Sequence, residues 1–126
     1  MSIIRIEDIA FVRFTAPDLA EMERFLVSFG LQPFKGPGGG LYARGLGAAP
    51  FVHATHEGAP GFAALGLRAE SLADLETLSK ATGVAIAPFD APGGGSVVRL
   101  TDPDGFTVEV VAGQAGAAAI APEPPA

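Results

Sequence analysis

The sequence reads as a single α+β domain made of two consecutive βαβββ modules. Three observations predict this. There is an internal repeat, a helix-start signal at the same place in both repeats, and a set of short apolar runs divided by Gly/Pro turns.

The repeat comes first because it sets the architecture. Residues 9–31 and 62–84 align without a gap at an offset of 53. Ala10, Ala16, Leu19, Ala20, Glu23 and Gly30 recur as Ala63, Ala69, Leu72, Ala73, Glu76 and Gly83. Pro37-Gly38-Gly39-Gly40 recurs as Pro92-Gly93-Gly94-Gly95 at an offset of 55, followed by Arg44/Arg99 and Phe51/Phe106. Each half opens with a strand-like run, Ile9 to Phe14 and Phe62 to Leu67. A helix follows, with Asp18/Glu21 and Ser71/Asp74 at capping-box spacing. Leu19, Met22, Phe25, Leu26 and Phe29 form one apolar stripe at helical spacing, and Leu72, Leu75 and Leu78 form the other. Gly30 and Gly83 stand where a left-handed C-terminal cap is expected. Strands are then expected near 31–35, 40–45 and 50–55, and again near 84–88, 96–101 and 106–111.

Composition narrows the function. The 126 residues are 48% hydrophobic and 17% charged, which suits one packed domain. The net charge is −6 with no Lys/Arg cluster, which argues against nucleic acid and against an anionic membrane surface. There is no cysteine, so disulfides and thiolate chemistry are excluded. No apolar run of membrane-spanning length and no signal-peptide pattern is present, so a cytoplasmic location is expected. Residues 1–112 are assigned to the domain. Residues 113–126, rich in Ala and Pro, read either as a disordered tail or as an interdomain linker.

The doubled βαβββ plan, the run Ile9–Leu19 leading into a helix, and Asp102-Pro103-Asp104-Gly105-Phe106-Thr107-Val108-Glu109 together resemble the vicinal oxygen chelate group. That group includes glyoxalases, bleomycin-resistance proteins and extradiol ring-cleavage dioxygenases. The resemblance spans residues 6–112. It implies an open, cup-shaped mixed sheet with helices outside. It also implies that Glu109 stands where the family places a metal-binding carboxylate. The positions corresponding to the other three ligands are Ile9, Ala54 and Phe62, none of which supplies a side-chain donor. No metal is therefore expected in this chain.

His53 and His56 read as an outward or loop-edge pair, because His53 lies one residue off the cup-facing register of Ala54. The glycine runs lack the Gly-Lys-Ser/Thr ending of a phosphate loop, and no Ser–His–Asp or Cys–His arrangement is present. With Ile9, Phe11 and Arg13 facing the cup, and Phe62 beside them, the expected wall is apolar with two charges, Arg13 and Glu109. These either pair with each other or contact a ligand. Phe11, Arg13, Phe62 and Glu109 are the candidate ligand-binding residues, and no catalytic residue is assigned.

The resemblance implies two functions. One is the metal-free N-terminal module of a two-module extradiol (dihydroxybiphenyl-type) dioxygenase-like protein of aromatic-compound catabolism. Catalysis and any Fe(II) would then belong to a C-terminal module beyond this chain. The other is a stand-alone, bleomycin-resistance-like protein that sequesters a small apolar or aromatic ligand. The partner would be the second module in the first case and a second copy of the chain in the other.

Overall fold

The computed structural model describes residues 4, 6–45, 47–101 and 105–116. The chain runs β1 (Ile6–Ala16), α1 (Leu19–Ser28), β2 (Gln32–Lys35), β3 (Leu41–Arg44), β4 (His53–Glu57), β5 (Gly61–Ala69), α2 (Leu72–Thr82), β6 (Ala87–Pro88), β7 (Ser96–Thr101) and β8 (Thr107–Ala112). The βαβββ plan is therefore present twice. One eight-stranded sheet has the order β2-β3-β4-β1-β5-β8-β7-β6, so β2 and β6 are its outer strands.

The register displays the internal symmetry. β1 and β5 pair antiparallel at the centre, β1 pairs parallel with β4, and β5 pairs parallel with β8. Ile9 pairs with Leu67, and its repeat equivalent Phe62 pairs with Phe14, the equivalent of Leu67. That exchange is what a pseudo-twofold axis between the two strands produces. Arg13 lies opposite Ala54 as Gly66 lies opposite Glu109, so Ala54 and Glu109 occupy matching places in the two halves.

The local signals act as expected at the helix starts. The Asp18 carboxylate accepts from the Glu21 N–H at 3.1 Å, and the Ser71 hydroxyl accepts from the Asp74 N–H at 3.3 Å. Each satisfies an amide that the first helical turn leaves without a partner. Gly83 ends α2 at φ 75°, the left-handed cap, while α1 ends one residue earlier on Phe29 and Gly30 follows at φ 83°. The first proline-glycine run forms a single 3-10 turn at Pro37–Gly39 between β2 and β3, and the second is a turn between β6 and β7.

Both helices pack on one face of the sheet. Leu75 and Leu78 of α2 meet Ala69, Val98, Val110 and Ala112; Leu26 of α1 meets Leu41 and Ala43, flanked by half-buried Leu19 and Met22. The α1 stripe is narrower than the sequence suggests. Phe25 and Phe29 are 56% and 71% exposed and pair with each other at 4.8 Å on the outside of the helix. Helical spacing puts them near the stripe, but the packed face ends at Met22 and Leu26.

The opposite face is the concave one. An aromatic cluster fills one end of it, with ring centroids 4.7 Å apart for Phe11–Phe51, 5.7 Å for Phe11–Phe89 and 5.0 Å for Tyr42–Phe51. Phe11 lies flat on the sheet because residue 66 is glycine: a Cβ there would stand 2.4 Å from the ring. The repeat is broken here, since Phe51 is buried in this cluster and its equivalent Phe106 is half exposed. Among the described residues no helix is long and apolar enough to cross a membrane. The Asp102–Asp104 part of the turn motif and residues 117–126 of the tail lie outside the described residues.

Candidate functional site

The other end of the concave face holds a cavity of about 400 Å³. Strand alternation determines what lines it. On β8, Thr107 and Glu109 point inward while Val108 and Val110 face the helices. β7 pairs with β8 so that Arg99 is opposite Glu109, and Arg13 of β1 and Ala64 of β5 come from the centre of the sheet. Tyr42, His56 and Asp90 complete the polar lining.

Glu109 is 3% exposed. A lone carboxylate at such depth is strongly disfavoured, so it requires compensation. Two arginines supply it: Arg13 Nε donates to Oε1 and Arg99 Nε donates to Oε2, each at 2.9 Å. The Arg13 side chain is 16% exposed and that of Arg99 is 48%, so the inner pair is the drier of the two. The Arg13 guanidinium also lies over the Phe11 ring, 5.5 Å from its centroid, where a cation is attracted by the ring face.

His56 stands edge-on to Tyr42 at 6.0 Å. A Cβ on residue 40 would fall 2.6 Å from its Nε2, so Gly40 makes room for the imidazole. Burial holds the His56 pKa below the ordinary histidine value; the Arg13 charge lowers it further, and Glu109 opposes that shift.

The sequence-predicted residues are distributed as follows. Arg13 and Glu109 line the cavity and bind each other. Phe11 is core, buried under the aromatic cluster. Phe62 is 43% exposed outside the cavity, edge-on to Phe14 and Phe106 at 5.8 Å each. Ile9 is 65% exposed and does not face the cup, which corrects the expectation; the β1–β5 register shifts between Ile9 and Phe11. Ala54 is fully buried beside Tyr42 and Arg13.

Of the histidine pair, His53 lies off the cup as expected, and His56 needs correction. His53 is buried on the helix-facing side, where its Nε2 meets the Thr55 hydroxyl and its ring stacks on Phe14 at 5.3 Å. Burial lowers its pKa. His56 faces the cavity, because β4 extends to Glu57 and residue 56 follows Ala54 by one strand period. Arg99, Tyr42 and Asp90 carried no site assignment from sequence. Arg99 had a usable signal: pairing Thr101 with Thr107 between β7 and β8 also places residue 99 opposite 109.

These residues do not fit a divalent metal. Both oxygens of Glu109 are taken by guanidinium donors, Ala54 has no donor atom, and Ile9 and Phe62 lie off the cavity. Their cup-facing neighbours on the same strands, Phe11 and Ala64, offer none either. No group of three or more His, Cys, Asp or Glu converges among the described residues.

Comparison with solved structures decides the architecture. The chain superposes on the Mn(II)-bound glyoxalase from Novosphingobium aromaticivorans with a TM-score of 0.82 at 24% identity, over 94% of this chain and 43% of that one. The fold is that of the vicinal oxygen chelate proteins. A variant of homoprotocatechuate 2,3-dioxygenase from B. fuscum gives 0.79 at 19% identity, over 93% and 35% of the two chains. The Arthrobacter globiformis homoprotocatechuate 2,3-dioxygenase gives 0.75 at 23%, over 91% and 38%. This chain thus spans about two fifths or less of the length of these vicinal-oxygen-chelate neighbours. No family model and no curated protein matches the sequence.

Proposed function

We propose that this chain is a metal-free, non-catalytic vicinal-oxygen-chelate module of an extradiol-dioxygenase-like cytoplasmic protein of aromatic-compound breakdown, with Fe(II) chemistry residing in another module. One observation carries the reading. The carboxylate that the resemblance assigns to metal binding, Glu109, spends both its oxygens on Arg13 and Arg99. An organic cation thereby satisfies the charge that a divalent ion would otherwise meet. The incomplete coverage of the longer neighbours supports a modular parent.

Ring cleavage and hemithioacetal isomerisation, as this family performs them, need a metal that binds substrate oxygens. Within this chain, Arg13 and Arg99 hold Glu109, which leaves it poorly placed to take a proton as a base. The direct test is ring opening of catechol by the purified chain with added Fe(II), alongside metal analysis. The expected rate equals that of the protein-free control, with no stoichiometric metal. Ring opening that disappears on Glu109→Ala would overturn the proposal.

A second reading has its own support. The cavity is of ligand size and lies at the concave face. A stand-alone sequestering protein would bind a small molecule there without chemistry. The natural reading frame distinguishes the two: continuation into a histidine-bearing βαβββ pair favours the modular parent.

A further inference from the structure

The arginines that hold Glu109 do so through one nitrogen each. A guanidinium carries five N–H donors, and two parallel bonds to one carboxylate are its usual strong arrangement. Here Arg13 and Arg99 each contribute only Nε, to different oxygens of Glu109. Among the described residues, the terminal nitrogens of both have no hydrogen-bond partner, and both residues line the same cavity. Two cations against one buried anion leave a single positive charge at the floor. Asp90, an exposed residue of the same lining, adds a negative charge at the rim, so the four charged side chains balance and the positive groups stand at the floor. The rest of the wall mixes the polar side chains of Tyr42, His56 and Thr107 with the small or apolar Pro37, Gly38, Ala63 and Ala64.

We propose that the cup binds a small monocarboxylate with a compact body, its carboxylate spanning the outer guanidinium edges of Arg13 and Arg99. The charges select for one anionic group. One carboxylate fits against the two unpartnered guanidinium edges, whereas a second would meet Glu109 and Asp90. Arg13 is oriented for the role from behind, by Glu109 on one side and the Phe11 ring on the other. Its fork is therefore preorganised, which limits the entropy lost on binding. The proposal rests on the reading that Glu109 holds guanidinium groups rather than a metal.

The probe is benzoate, with benzamide as its neutral isostere and phthalate as the dianion, titrated into the full chain by calorimetry and NMR. Benzoate is expected to bind at one site per chain and to perturb Tyr42 and His56. Benzamide should bind at least about tenfold more weakly, and phthalate no more tightly than benzoate. Arg99→Gln should weaken benzoate by about tenfold or more and leave benzamide unchanged. Arg99 is half exposed, so the variant should fold. Ala63→Leu, which narrows the cavity without touching a charge, should weaken both probes. Equal affinity for benzoate and benzamide would overturn the proposal, as would full benzoate affinity in both folded variants. Absence of benzoate binding with and without EDTA sinks this inference alone. Benzoate binding that EDTA abolishes would instead overturn the metal-free reading of Glu109.

Discussion

The buried Arg13–Glu109 pair makes a stability prediction that separates structural pairing from metal binding. Consider Glu109→Leu, Arg13→Met and the double variant, each close in volume to the residue replaced. Glu109→Leu leaves Arg13, 16% exposed, without its anion, while Arg99 can turn its half-exposed head to solvent. Breaking a fully buried ion pair costs about 3–5 kcal/mol, so about 3 kcal/mol is expected for this one. Arg13→Met leaves Glu109 with Arg99 alone, and about 2 kcal/mol is expected since that remaining partner is partly solvated. The double variant replaces both buried charges by apolar groups, a change that tends toward neutrality; about 2 kcal/mol is expected from imperfect repacking at the two sites. The coupling between the two sites is then about 3 kcal/mol. Urea denaturation followed by circular dichroism measures all four proteins, with an unchanged m-value as the check on two-state behaviour. Single-variant losses that add to the double within about 0.5 kcal/mol would refute the pairing argument. So would Mn(II) or Zn(II) stabilising the wild type in a manner abolished by Glu109→Leu, because a ligand of the native state stabilises by mass action.

Two further predictions concern packing and pH. Gly66→Ala places a methyl 2.4–2.6 Å from the Phe11 ring, so a loss of about 1–3 kcal/mol is expected; a thermal midpoint equal to wild type would show that the ring is not pinned there. His53 and His56 both have pKa values lowered from the ordinary 6.5, so the folded state favours the neutral rings. Their contribution is fully present above pH 6.5 and is lost as pH falls below it, because the unfolded chain takes up the protons first. Denaturation midpoints should fall as the pH drops below 6.5 for wild type and fall less in the His53→Gln/His56→Gln variant; identical pH profiles would contradict the burial argument.

How much of this was legible in the sequence depended on the range of the interaction. The two modules, the helix caps at Asp18 and Ser71 and the turn role of the proline-glycine runs are local or repeated signals, and the structure shows all of them. The pairing of Arg13 with Glu109 was one of two alternatives from the charge pattern, and the sheet brings them to 2.9 Å. Ile9 was misplaced because the β1–β5 register shifts just after it, and a bulge leaves no mark in hydrophobic alternation. His56 was misplaced by ending β4 two residues early, an error of boundary rather than of period. Phe25 and Phe29 were misjudged because apolar spacing on a helix does not reveal how wide a surface the sheet can cover.

An open eight-stranded sheet has two borders, and here each border strand carries a proline: Pro33 on β2 and Pro88 on β6. A proline has no N–H to offer, so neither rim presents an unbroken row of donors and acceptors to an incoming chain. On the β6 side, among the described residues, the ladder to β7 is two residues long. Ladder-by-ladder growth, the route by which open sheets polymerise, is thereby obstructed at both ends.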